Sequence, residues 1–289
     1  MNRIFFGLLA LTLGQTATAN DCAERKKIDL SFAASQFTEL RVNALAGSLY
    51  FEAGDSDQIT VEGIACTDES KYLDRMDIDV SKDDKVLELT VMIPYNDRDW
   101  HARYAHVDLT IMVPPTLVTM IKDSSGDLEA RGISIARLED SSGEIRLRNT
   151  SGDISLRDSS GDVYIRDHQG NLTLEDSSGD LELSGVNGDI WIRRDSSGDI
   201  EIDSVTGMVT IGRDGSGDIE IDQVGQSVLV DSDGSGSIRI NDVRGSVEIG
   251  ADGSGSVNVK TVDGDFTLLS KGSGGIRTSN IKGKISVPD

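Results

Sequence analysis

The chain has 289 residues, with 50 Asp and Glu against 28 Lys and Arg and a formal net charge of -22. That balance excludes binding of nucleic acid through a basic surface, which rests on neutralising phosphates. Aromatic residues make up only 4% of the chain while hydrophobic residues reach 37%, so the sequence predicts neither a ring-packed globule nor a disordered chain.

Residues 1–19 read as a secretory leader. Arg3 precedes an apolar run from Ile4 to Leu13, and Ala17-Thr18-Ala19 closes the segment as a cleavage site. The run is too short for a stable membrane span, and no later stretch reaches the ~20 apolar residues that a span needs. The expected mature chain is exported, to the periplasm or the cell surface, with no transmembrane segment. Cys22 and Cys66 are its two cysteines. An oxidising compartment predicts their pairing, which would pin the new N-terminus onto the first strands. Two unpaired thiols are the alternative. Cys22 lacks the small-residue context of a lipid-attachment cysteine.

Residues 20–122 read as a less regular β region covering the open end of the regular coils that begin at Asp123. Leu49/Phe51, Ile59/Val61, Ile78/Val80, Leu87/Leu89/Val91 and Leu109/Ile111/Val113 alternate at the strand period. Between two of these strands, Tyr95 to His106 collects Tyr95, Trp100 and Tyr104 with Asp97, Asp99, His101 and His106. Aromatic and charged side chains on a loop suit ligand contact. A metal held by His101 and His106 with Asp97 or Asp99 is a weaker reading, because the spacing matches no established site. Pro114-Pro115 then forces an extended break.

Residues 123–289 repeat. Glycines at 126, 143, 161, 179, 198, 217, 236, 255 and 274 are 17 to 19 residues apart, each preceded by serine. A second series, Gly152, Gly170, Gly188, Gly207, Gln226, Gly245, Gly264 and Gly283, falls between them. Apolar-x-apolar triplets come after the turns, as in Ile200/Ile202 and Ile219/Ile221. Two short strands per 18–19 residues, with no helix-period segment, predict an all-β fold. Its architecture is a right-handed, two-sheet parallel β-solenoid of about nine short coils. At ~4.8 Å per coil the stack is roughly 40 Å long. Val186, Val205, Val224, Val243, Val262 and Ile281, two before the second glycine position, should close one corner of the core. His168 occupies the same position and reads as a core histidine. The serine corner should be tight and polar.

The repeat produces two acidic columns. Three residues before each serine-turn glycine stand Asp123, Asp140, Asp158, Asp176, Asp195, Asp214, Asp233 and Asp252. One residue after it stand Asp127, Glu144, Asp162, Asp180, Asp199 and Asp218. Like charges ~4.8 Å apart in a column repel, so turn N–H groups or bound Ca²⁺ must offset them. Capping of the turns is the structural reading. The functional alternative is a Ca²⁺-binding secreted solenoid using Asp158, Asp162, Asp176, Asp180, Asp195, Asp199, Asp214 and Asp218.

The outward positions divide as well. One sheet shows Glu182, Glu201 and Glu220; the other shows Ser155, Thr173, Trp191, Thr210, Leu229 and Thr267 with Met208 beside them. Trp191, Thr173, Thr210 and Leu229 are candidate contacts for a surface protein or glycan. Near the end, Lys260, Lys271, Arg277, Lys282 and Lys284 face only Asp263, Asp265 and Asp289. A basic end on an acidic rod favours self-association, or else keeps an edge strand soluble.

The stretch Val107-Asp108-Leu109-Thr110-Ile111-Met112-Val113-Pro114-Pro115, with Ser-Gly-Asp-Ile units after it, resembles the bacterial adhesin-type domains of the head-GIN kind, a family without an assigned function. The likeness runs from about Leu40 to the end. It implies an exported β-solenoid of the cell envelope that binds rather than catalyses, and it offers no catalytic residues to carry over. A polysaccharide-acting β-helix enzyme is a third reading. The sequence lacks a nucleophile elbow, a phosphate loop or a zinc motif, and coils this short leave no room for cleft-building loops. No cofactor is implied apart from Ca²⁺ in the alternative above.

Overall fold

The computed structural model describes residues 22–54, 57–96 and 98–288. The leader expected over residues 1–19 lies outside them, as do Asp97 and Asp289. The strands form two sheets of 13 strands each, and consecutive strands of the repeat alternate between them. Within each sheet, neighbouring repeat strands pair in parallel, one coil apart in sequence: Ile200↔Ile219, Ile219↔Ile238 and Ile238↔Val257 on one side, Val209↔Val228 and Val228↔Val247 on the other. The all-β, two-sheet solenoid is therefore the one the periodicity predicts.

The coils from Leu181 to Asp252 bury the same set. Ile219, Ile221 and Val224 point inward from one sheet, and Val228, Val230 and Asp233 from the other, all 3% exposed or less. Each such Ile or Val contributes ~1.5–3 kcal/mol on burial, so one thin coil gains stability only by stacking on its neighbours. The two corners turn differently. At the serine corner the glycines from Gly126 to Gly274 have φ between 123° and 157°. A Cβ on Gly236 would overlap the carbonyl oxygen of Gly217 in the coil below, so stacking itself demands glycine there. At the valine corner the left-handed residue lies just before the buried one, with φ of 59° at Ser204, 56° at Gln223 and 52° at Asp242. Side chains are accepted at that milder geometry.

The N-terminal region supplies strands to both sheets: β1 (Glu24–Ala33), β2 (Glu39–Asn43), β3 (Leu49–Ala53), β4 (Gln58–Thr67), β5 (Asp77–Asp83), β6 (Val86–Met92) and β7 (Ala105–Val113). The first coil of the repeat begins with β8 (Val118–Lys122) and β9 (Leu128–Arg131). β2 pairs with both β6 and β8, and β3 with both β7 and β9, all in parallel. The layer made first in sequence thus lies between two layers made later. Gly47, with φ of 122°, turns this layer at the serine corner, and its N–H bonds Ser125 O. The glycine column therefore starts one coil earlier than the repeat spacing suggests. In the β6–β7 layer the Tyr95–Tyr104 segment replaces the tight turn. Antiparallel strands close this end: β4 on β7, β1 on β4, and β5 on β6. Cys22 and Cys66 are joined in a disulfide, tying the start of β1 to β4 across 44 residues.

Candidate functional site

Trp191 lies on the strand Ile190–Arg194, in register with Thr173 on one side and Thr210 on the other. The row continues through Leu229, and Ser155 and Arg137 extend it toward the N-terminus. The structure therefore brings together the four residues that the outward pattern selects. Trp191 is 45% exposed, whereas Thr173, Thr210 and Leu229 are half-buried beside it. The guanidinium of Arg193 stacks over the indole at 4.5 Å from the ring centre, a contact that fixes the ring and places a charge beside it.

Arg193 owes its position to a bulge. Pairing between the strands Leu172–Glu175 and Ile190–Arg194 slips by one residue, from Leu174↔Ile192 to Glu175↔Arg194. Here the 18-residue coil gives way to the 19-residue coil, and Arg193 is the extra residue. Bulges re-aim side chains and recur beside functional sites. Arg193 Nη1 and the Nε and Nη2 of Arg157 all donate to the Glu175 carboxylate, at 3.3, 3.0 and 2.8 Å. The Arg157 bonds, with help from Arg193, hold Glu175 below the usual carboxylate range. Among the described residues, the guanidinium groups of Arg194 and Arg213 have no ion pair. The sequence signal for this cluster is the change of spacing between Gly179 and Gly198, which the hydropathy pattern alone does not reveal.

The aspartate columns point in opposite directions. Asp127, Asp162, Asp180, Asp199 and Asp218 lie at the surface of the serine corner, and each accepts a backbone N–H from the next coil. The bonds from Asp180 N to Asp162 and from Asp199 N to Asp180 are 3.0 and 2.9 Å. The other corner carries a matching ladder. Asn171 N bonds Asp153, Asp189 N bonds Asn171, and Met208 N bonds Asp189. The sequence pattern points to such a column only at the serine turn.

The first column, Asp123 to Asp252, faces the core instead and is 1–4% exposed. Oδ1 of Asp123, Asp140, Asp158 and Asp176 accepts the N–H of the next residue, a serine, but Oδ2 of each is buried without a partner. Burial pushes Asp123 and Asp176 up to about 7, and Asp158 and Asp195 up to about 6. The column ends on Ala44 at the N-terminal side, where Ala44 N bonds Lys122 O, and on exposed Lys271 at the other. Among the described residues, no group of three or more His, Cys, Asp or Glu converges as a metal site.

The described residues of the Tyr95–His106 loop form a packed cluster. Trp100 lies 4.4 Å from Tyr72 and 5.2 Å from Tyr95, ring centre to ring centre. Tyr72, on the single-turn helix α1 (Ser70–Leu73), donates its hydroxyl to Asp99 O and accepts from His101 N. Tyr95 Oη bonds Ala105 O, and Tyr104 Oη receives Ala23 N. Arg103 closes on Asp68 at 2.8 Å. His106 Nε2 lies 3.7 Å from Asp108. His168 sits fully buried in the valine column, opposite Val186, with Nδ1 3.0 Å from Thr150 Oγ1. Burial lowers its pKa.

Two sheets of parallel repeat strands joined by short corners define a β-solenoid. The family model described as "Putative auto-transporter adhesin, head GIN domain" matches residues 36–262, and the chain belongs to that family. Solved structures similar to it include a putative adhesin from Bacteroides fragilis, at 15% identity and a TM-score of 0.37, covering 92% of this chain and 99% of that one. A putative lipid binding protein from Parabacteroides distasonis has 15% identity and a TM-score of 0.44, covering 92% and 97%. A putative cell adhesion protein from Clostridium sporogenes has 14% identity and a TM-score of 0.30, covering 89% and 99%. No curated protein matches the chain. Among the described residues, no helix is long and apolar enough to cross a membrane.

Proposed function

We propose that the protein is exported and serves, without catalysis, as a binding module of the cell envelope, in the periplasm or at the cell surface. Its contact surface is the sheet face around Trp191, and its partner is an envelope or surface protein or glycan. The observation that carries this reading is the 45% exposure of Trp191 in the middle of a flat sheet, with Arg193 stacked on it. An indole held open at such a site sacrifices burial that the neighbouring coils retain. The leader pattern and the Cys22–Cys66 bridge support export. The hydroxyls of Tyr95 and Tyr104 are engaged within the fold, which favours a structural role for their loop.

The test is binding of residues 20–289 to an immobilised envelope fraction of the producing bacterium. Trp191→Ala should lose roughly tenfold or more in affinity, as a central aromatic contact does, while its melting temperature stays unchanged. Tyr95→Phe should bind normally. Full binding by a folded Trp191→Ala protein would overturn the assignment of this face.

A further inference from the structure

The chain is acidic, yet one side of this sheet is not. Arg137, Arg157, Arg193, Arg194 and Arg213 lie on the strands around and N-terminal to Trp191, against Glu139 and Glu175 as the acids that pair with them. Glu175 is shared by two of the arginines. Beside the bulge lies a shallow notch of about 350 Å³ that sets Arg157, Arg193 and Arg194 against Glu175 and the largely buried Asp158 and Asp176. Arg194 borders it, and Arg213 lies one coil further on, so cations recur along the axis at multiples of ~4.8 Å. Guanidinium forks bind carboxylates through two parallel hydrogen bonds, which ammonium groups do not reproduce.

We infer that this notch recognises the carboxylates of an acidic polysaccharide, taking uronate units between Arg157 and Arg213, with the exposed part of the Trp191 side chain, beside the notch and next to Arg193, meeting a neighbouring sugar ring. The inference rests on the Trp191 face being the contact surface. Four features favour a glycan over a protein partner. The notch is shallow and open. The exposed apolar side chains of this face are few, Trp191 and the nearby Met208, with Leu229 half-buried further along, whereas a stable protein interface needs a broader apolar centre. The flanking positions Thr173 and Thr210 offer hydroxyls to a ligand that is itself rich in hydroxyls. The charges recur along the rod, so an extended polymer with regularly spaced carboxylates meets more than one of them.

The probe is a short oligogalacturonate, with binding read by tryptophan fluorescence and calorimetry on residues 20–289. Maltotetraose serves as the neutral control and a short polyglutamate as the polypeptide control. Oligogalacturonate should bind and perturb the emission of Trp191, with neither control matching it. Arg194→Ala with Arg213→Ala should weaken binding roughly tenfold or more, and the paired Lys substitutions should restore it only in part. All five arginines are at the surface, so thermal melts should remain unchanged. Equal binding of polyglutamate would overturn the sugar assignment in favour of an acidic protein. Absence of oligogalacturonate binding, while Trp191→Ala still abolishes envelope binding, would overturn this inference and leave the contact face standing. Loss of neither would remove both.

Discussion

Asp214 and Asp233 face each other across one coil step inside the core, in register and side chain to side chain. As carboxylates, their four oxygens receive no well-formed hydrogen bond. A proton shared between them supplies the missing donor, and burial together with the neighbouring carboxyls raises the affinity of the pair for it.

Above about pH 5 the contribution of this column to stability should therefore decline as pH rises. A carboxyl whose folded pKa exceeds its unfolded value contributes fully below the unfolded value and loses that contribution as pH rises through the folded one. For Asp123 and Asp176 the window runs from 3.8 to about 7, and for Asp158 and Asp195 from 3.8 to about 6. Thermal melts should fall by several degrees between pH 5 and pH 8. A flat or rising profile would show that the column stays ionised and is compensated in some other way.

Asp214→Asn with Asp233→Asn keeps the shape and removes the charge, and stacked amides supply one another with donors. The double variant should melt higher than the parent at pH 8, by about 1–2 kcal/mol in stability, and show little difference at pH 5. A loss at both pH values would mean that the ionised form is the stabilising one.

Gly236→Ala should be severely destabilising, by ~3 kcal/mol or more, because the new Cβ meets the Gly217 backbone of the coil below at a positive φ. Asp242→Gly, at the milder corner with φ of 52°, should change stability by less than ~1 kcal/mol. Urea unfolding of both variants compares the two corners directly.

Calcium should not move the melting temperature. The outer aspartates spend an oxygen each on backbone N–H groups of the next coil, and the inner ones are closed off from solvent. Melts in EDTA and in millimolar Ca²⁺ should coincide. A rise with Ca²⁺ but not Mg²⁺ would make the columns ion sites. Asp199→Ala should lose one inter-coil bond, about 1 kcal/mol.

The repeat is legible because solenoid stacking writes itself into the sequence at fixed spacing. The alternation of Ile200/Ile202 and Ile219/Ile221 names the core, and the serine-glycine pairs name one corner. The pairing of the two cysteines and the valine-column place of His168 are equally legible. The direction of Asp123 to Asp252 is not. Asp reads as a turn residue, and only the backbone path shows that this position completes the inward triplet opposite the valine column. The Trp191 row is visible from outward alternation, but its arginines are not, since a one-residue bulge shifts Arg193 and Arg194 out of phase. The loop aromatics are visible, while their partner Tyr72 lies on a single helical turn too short for any periodicity.

The order of layers at the N-terminal end also bears on how the molecule is made. The layer of Glu39–Ala53 finds its neighbours only in Val86–Val113 and Val118–Arg131. As the chain emerges from the ribosome, these early strands must wait for partners up to about eighty residues downstream. From Leu128 onward each coil docks on one already complete. A chain interrupted before Arg131 therefore lacks one face of the layer that the later coils extend.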